Sequence, residues 1–455
     1  MRVFHSADGR PLKASFESDS GVMVNLMRED GKVFELKKSA LSTADQTYVA
    51  EMVRNADDES KKLNIAAGHE ISNGIHFSER KAEDLARALQ IRPESKSKYG
   101  NSWRLYASYL KGYLLFGAMP YSVALYSNQD GFATNLSIVY ANKGDFVATP
   151  DIAKDRFKNG NSATPGTLSE AMARDEEMIN KTLTAVLGEG KVQRYGELES
   201  RRRIIRWDWR GYAFLLSNEK NEYVSLAIVS SQTADSGGRY ALTKDGEVKE
   251  RLLDNIVRKD NGDVYLSEIP MVDQGPKGYC VPATFERAMR TMGLEADMYL
   301  LAMVGQTGVG GGTSPELLLE KIKFEVISKK RRIKEEKLKQ LHIRDFKRYI
   351  DEGIPIMWSM HSMEAYNDIA NKNTEKRAKV TEWNAYASEI ITENVKLAKS
   401  TKPDDNRHIC MIIGYNETTQ EIAVSDSWGP RFERRWVPVA VADWANSGNV
   451  FMILP

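Results

Sequence analysis

The chain has two thiols, Cys280 and Cys410, and the first stands where a thiol becomes a nucleophile. A loop rich in Gly and Pro carries Gln274 and leads directly into Cys280. After Cys280, the apolar residues Phe285, Ala288, Met289 and Met292 recur at spacings of three and four, and Gly293 is a stop signal. The spacing predicts a buried helix with Cys280 at its N-terminus. Unpaired N–H groups and the positive end of the helix dipole favour a thiolate there. A thiolate nucleophile works with a base, and the base with an orienting partner. Residues 407–415 read as an apolar strand with His408 at its start. A turn at 416–420 follows, then Ile-Ala-Val-Ser-Asp-Ser-Trp-Gly at 422–429, a returning strand that ends in the carboxylate of Asp426.

Gln-Gly-x-x-Gly-x-Cys, with Gln274 six positions before Cys280, resembles the active-site segment of papain-like cysteine peptidases. The His408 strand followed by Ser-Asp-Ser-Trp-Gly resembles that family's second signature, in which Asn-Ser-Trp-Gly is usual. The resemblance implies Cys280 as nucleophile, His408 as base, Asp426 as orienting residue and Gln274 as oxyanion donor. Two positions depart from the pattern: Val281 replaces the usual Trp after the cysteine, and Asp426 replaces the usual Asn. An Asp there is similar to the bacterial branch that trims double-glycine leader peptides. The resemblance covers roughly residues 265–455. Trp428 is expected to pack beside the hairpin, to shield the His–Asp contact from water and to border the substrate cleft. The resemblance also implies that the glycine-rich loop with Gly310, Gly311 and Gly312 offers bare backbone to a substrate strand.

Composition bounds the rest. At 455 residues two or three domains are expected. The formal net charge is +1, which gives no electrostatic case for nucleic acid or a membrane surface. The longest apolar run, near 109–121, is broken by Lys111 and too short to span a bilayer. Two cysteines make no disulfide framework, and Cys410, two residues along the strand from His408, is expected to be buried and too far from Cys280 to pair with it. His69 and His76 have no partner at metal-ligand spacing, so neither metal nor cofactor is expected. No signal peptide is visible. The protein is expected to be exported, its leader already removed, or else cytoplasmic.

Residues 1–50 read as a small β unit: Leu12, Ala14 and Phe16 alternate, as do Val22, Val24 and Leu26, and Asp30-Gly31 is a hairpin turn before 33–36. Ser42 caps a short helix reaching Asp45 and Gln46. This stretch resembles the Sla-type homology domain of bacterial exported proteins, which implies an SH3-like barrel serving as a binding or spacer module and leans the expectation towards export. A short helix is expected at 79–89 with Ser78 as its N-cap. Strands at 121–126 and 133–140 precede a helix that opens at Thr167 with Glu170 completing a capping box; three strands at 204–209, 211–216 and 223–229 follow. Arg201, Arg202 and Arg203 with Trp207 and Trp209 form a basic-aromatic patch read as an edge strand with solvated charges. A helix is expected at 248–257. Residues 305–314 fail as a phosphate loop, because Gly stands where Lys is needed; Ser314 and Pro315 instead open a helix. The mixed-charge run 328–339 reads as a solvated helix face. A helix at 346–353 and a buried strand at 354–360 follow. A helical segment at 362–400 is read as an insertion near the cleft.

The expected fold is α+β: an SH3-like β-barrel over 1–55, a middle α+β domain over 56–245, and a papain-like catalytic domain over 246–455 with its cysteine on a helical half and its histidine on a sheet half. The expected function is hydrolysis of a peptide or isopeptide bond in a peptide or protein substrate through a thioester. The alternatives are transglutaminase-like acyl transfer to an amine and a catalytically idle binding protein on the same fold.

Overall fold

The computed structural model describes residues 1–19, 21–30, 32–106, 110, 112–146, 167–239, 242–276, 278–309, 312–398 and 406–455. Gly31 of the predicted hairpin turn, Lys111, Gly310 and Gly311 lie outside the described residues, as does part of the segment 362–400. Helix and antiparallel sheet are mixed throughout, as α+β requires.

The N-terminal strands Arg2–His5, Pro11–Asp19, Met23–Met27 and Val33–Lys37 form an antiparallel meander, each paired with its sequence neighbour. Phe4, Ala14, Val24, Leu26, Leu41 and Val49 make its core. Ser42 caps the next helix through the N–H of Asp45, as expected. That helix is long, however, running over Thr43–Ala67 to Gly68 in the left-handed conformation. No Gly or Pro interrupts residues 43–67, so nothing in the chain stops it earlier.

The middle of the chain is a helix followed by four strands, twice over. Helix Ala82–Ala88 precedes Arg92–Ser97, Gly100–Tyr106, Ser122–Ser127 and Ala133–Asn142. Helix Leu168–Leu187, with the predicted Thr167–Glu170 capping box, precedes Lys191–Tyr195, Arg202–Trp209, Tyr212–Glu219 and Tyr223–Ser230. The last strands of the two sets pair antiparallel, which fuses them into one eight-stranded sheet. One face is covered by the helices; the other turns towards the C-terminal part of the chain. Two expectations change here. Ser78 falls in a short 3-10 turn, and the helix begins three residues later, after Lys81. Strand Arg202–Trp209 is not an edge, because Lys191–Tyr195 pairs outside it; Trp207 is buried and donates its indole N–H to the Gly188 carbonyl.

The C-terminal sheet runs in the order Ile256–Arg258, Asp263–Leu266, Arg407–Asn416, Ile356–His361, Asn446–Leu454, Arg332–Lys337. Glu421–Ser425 also pairs with Arg407–Asn416, and Arg435–Pro438 pairs with Glu421–Ser425. Helix Cys280–Thr291 crosses this sheet. Helix Asp245–Asp254 stops earlier than expected, and Ile256–Arg258 pairs as a strand. The charged run at 328–339 is not a helix. The preceding helix ends at Ser328 and Arg332–Lys337 is an edge strand, where charges facing water cost little and guard an open edge. Only Ile333 of that strand packs on the core.

Candidate active site

Cys280 is the first residue of helix Cys280–Thr291, with Tyr279 as its N-cap, and is half-buried. The helix is buried on nearly every side, not on the single face that the apolar spacing marked. Val281, Phe285, Ala288, Met289 and Met292 enter the core of the C-terminal sheet. Thr284 and Arg287 face the strands that carry His408 and Asp426. The Thr284 hydroxyl donates to the Ile409 carbonyl (3.3 Å), and Arg287 donates to the carbonyls of Pro270 (2.8 Å) and Ser425 (3.3 Å). A fully buried guanidinium thus ties the helix to the Gln274 loop and to the Asp426 strand at once.

His408 is buried and lies between Asp426 and Cys280. Its Nε2 lies 3.1 Å from Asp426 Oδ1, which leaves Nδ1 for the Cys280 thiol. Burial works against the imidazolium, but the bonds to Asp426 and Cys280 outweigh it and lift His408 to about 9. Burial likewise pushes the Cys280 thiol up; the His408 bond and charge, with the backbone N–H groups of Ile409 and Val281, outweigh it and bring it below the ordinary thiol range. Both shifts run in the direction that favours a thiolate beside an imidazolium. Cys410 is the contrast: it is fully buried within its strand, and burial raises its thiol well above the ordinary range. Both cysteines are free.

Asp426 follows directly after strand Glu421–Ser425 and is 1% exposed. Its second oxygen accepts from Arg435 Nη2 at 2.6 Å. Burial favours the neutral acid, but His408 and Arg435 together hold the carboxyl below the usual range. Arg435, itself 3% exposed, also donates to Asn367 (3.0 Å) and Asn371 (3.2 Å). Sequence reasoning missed Arg435. Its only signal is strand register, which sets it opposite Val424, two residues before Asp426. Trp428 stacks on His408 with ring centroids 4.8 Å apart and an interplanar angle of 26°; Phe432 packs edge-on against Trp428. The indole therefore covers one face of the imidazole.

Gln274 joins this group through its backbone, its N–H donating to the Ser427 carbonyl at 2.8 Å, next to Asp426. Gly275 follows in the left-handed region at φ 72°, and a Cβ there would lie 2.7 Å from the Tyr106 ring. Gly312 is the described part of the glycine loop. Its N–H donates to the Gly278 carbonyl and its own carbonyl accepts from Gly308, so both groups serve the loop. A cavity of about 140 Å³ lies at the far end of the cysteine helix, lined by Met289, Gly293 and Leu294, away from the thiol. Among the described residues, no cluster of three or more His, Cys, Asp or Glu side chains could hold a metal ion, and no helix is long and apolar enough to cross a membrane.

Residues 266–451 match the family model described as Peptidase_C39 like family. The match covers the helix of Cys280, the strands of His408 and Asp426 and the helices between them, and it supports a C39-type papain-like cysteine peptidase domain in this part of the chain. No curated protein matches the chain.

Proposed function

We propose that residues 246–455 form a cysteine peptidase that cleaves a peptide or isopeptide bond through a thioester, with Cys280, His408 and Asp426 as its triad. The observation that carries this is the His408–Asp426 hydrogen bond at 3.1 Å beside the Cys280 thiol, which stands at a helix N-terminus and whose pKa is lowered by His408. The Cys280 thiolate attacks the carbonyl carbon, and the carbonyl oxygen becomes an oxyanion. The Gln274 side chain and the Cys280 N–H donate to it; a comparable donor is worth roughly 3 kcal/mol. His408 passes its proton to the leaving amine, and the thioester remains. His408 then takes a proton from water, the hydroxide displaces Cys280, and an acid is released. Asp426 fixes the imidazole and stabilises its charged form. Residues 1–55 are proposed as a Sla-type, SH3-like module that binds or spaces and takes no part in the chemistry; their antiparallel meander and compact core support this.

A peptide-library digest with cleavage sites read by mass spectrometry tests the proposal. Wild type is expected to cut and Cys280→Ala to cut nothing while keeping its circular dichroism spectrum. Equal cleavage by both proteins excludes Cys280 as nucleophile. Including a primary amine in the digest separates hydrolysis from acyl transfer, since transfer leaves the amine on the new C-terminus.

A further inference from the structure

We propose that the eight-stranded middle sheet is a clamp that fixes the loop presenting Gln274, with Tyr106 and Glu94 as positioning residues. This rests on the proposed role of Gln274 as oxyanion donor. The loop between Asp273 and Tyr279 contains Gly275, Pro276 and Gly278, a composition with little rigidity of its own. An oxyanion donor must nonetheless be held within about 0.5 Å of its working place before the reaction starts.

The middle sheet grips both ends of this loop. At the first end, the Asp273 N–H donates to Glu94 Oε1 at 2.7 Å and the Tyr106 hydroxyl donates to the Asp273 carbonyl at 2.6 Å. One residue pair thus pins both peptide units that flank Asp273, immediately before Gln274. Two residues earlier, the Met271 N–H donates to Ser95 Oγ at 2.9 Å. At the other end, the Tyr279 hydroxyl donates to Asn142 Oδ1 at 3.0 Å, immediately before Cys280. In between, the Tyr106 ring presses against Gly275 so closely that no side chain fits there.

The grip is itself braced. Arg104 Nε donates to Glu94 Oε1 at 2.6 Å and Ser102 Oγ donates to Oε2 at 2.9 Å; all three residues are buried. Tyr106 packs edge-on against Tyr121 at 5.9 Å. Tyr106, Tyr121, Val139 and Tyr223 of the middle sheet form one cluster with Val272, Tyr279 and Ala283 around the loop and the cysteine helix. The wall opposite is the Ser427 carbonyl, which receives the Gln274 N–H. The loop is therefore a strap between two sheets, and the residues that set its geometry come from a part of the chain with no place in the triad.

Tyr106→Phe and Tyr279→Phe in the full chain test this, since each removes one hydroxyl and keeps the ring. Three measurements are made: kcat and KM on a cleaved peptide, the rate of Cys280 alkylation by iodoacetamide at about pH 6, and amide hydrogen exchange across 270–279 and 281–291. For Tyr106→Phe, kcat is expected to fall about fivefold or more, the loss of one hydrogen bond's worth of positioning. KM and the alkylation rate are expected to stay within about twofold, because the thiolate–imidazolium pair does not use the hydroxyl. Exchange should quicken in 270–279 and stay slow in 281–291. Unchanged exchange in 270–279 in both variants overturns the clamp. So does a parallel loss of kcat and alkylation, which marks a general loosening of the site. Exchange needs no turnover, so a wild-type chain that cleaves no peptide removes the peptidase proposal while exchange still decides whether the sheet holds the loop.

Discussion

Asp426 carries a full negative charge where a neutral amide would orient an imidazole equally well. A second charge in a buried site has to be balanced, and Arg435 balances it: with thiolate, imidazolium, carboxylate and guanidinium the four groups sum to zero. Removing Arg435 leaves Asp426 with His408 alone, and removing Asp426 leaves Arg435 buried without its carboxylate. Arg435→Met and Asp426→Asn are each expected to cost on the order of 3 kcal/mol in urea unfolding. The double variant is expected to regain much of that loss; additive losses would mean that the two side chains are not coupled. The inner pair sets the pH behaviour. His408 stands raised to about 9, so its contribution to stability is complete below the ordinary imidazole pKa and is lost as pH rises through about 9. Loss of the His408 proton breaks its pairing with a Cys280 thiolate, so kcat/KM should fall on the alkaline side with an apparent pKa near 9. Iodoacetamide at about pH 6 should label Cys280 quickly and Cys410 hardly at all, with His408→Ala slowing the former; peptide mapping reads both. The grouping of Cys280, His408, Asp426 and the Gln274 backbone was legible because each sits in a short motif beside a helix or strand signal. Arg435 was not, because nothing local separates it from the neighbouring Arg434, which lies over the Tyr265 ring.

Among the elements, helix Glu364–Arg377 departs most from what its composition suggests. Read as an accessory insertion, it packs on strand Arg435–Pro438 and supplies the two asparagines that hold Arg435. Its buried residues Tyr366, Ala370, Asn373 and Arg377 do recur at helical spacing, yet two of the four are polar. A period carried half by amide and guanidinium groups looks like a solvated face until its partners are known. The partners are Asp263 and Glu421, both buried, which converge on Arg377, while Asn373 and the Tyr386 hydroxyl donate to Glu421. Arg377→Met should therefore destabilise the chain by roughly 3 kcal/mol in thermal or urea unfolding, since two buried carboxylates lose their shared cation. A change under about 0.5 kcal/mol would return the helix to the status of a surface addition. The opposite error occurred at Arg332–Lys337, where alternating Lys, Arg and Glu suited a helix surface. Its strand state is imposed by pairing along Asn449 to Leu454, a contact over a hundred residues away that no local pattern carries.

At the scale of the whole molecule, the middle sheet and the cysteine helix share a polar core that sequence gave no means to foresee. Glu286 of the helix is fully buried against Tyr126 of the sheet, which donates to it at 3.1 Å, and burial lifts its carboxyl to about 7 despite Arg104 and Arg290 nearby. A raised acid stabilises the fold below its ordinary pKa, near 4.5, and that contribution is lost as pH rises through about 7. Thermal unfolding across pH 5 to 7.5 should show this decline, of order 2 kcal/mol. Glu286→Gln should flatten it, and an identical pH profile in that variant would mean that Glu286 is ionised throughout. Five strands and the capped helix of the middle segment were visible, strands Arg92–Ser97, Gly100–Tyr106 and Lys191–Tyr195 were not, and the assembly into two fused four-strand sets rests on pairings between residues 133–142 and 223–230. The order of the C-terminal sheet has a further consequence, for biosynthesis. Strand Asn446–Leu454 lies inside the sheet, between Ile356–His361 and Arg332–Lys337, yet follows every other strand in the chain. A ribosome making the protein from its N-terminus delivers the middle sheet, the cysteine helix and the His408 hairpin before the strand that joins Arg332–Lys337 to them. Until then the apolar Ile356–His361 offers an open edge to any neighbouring nascent chain. The middle sheet, complete much earlier, would be waiting to receive the cysteine helix as it emerges, so the half of the site that holds the thiol would take shape before the sheet behind the histidine is closed.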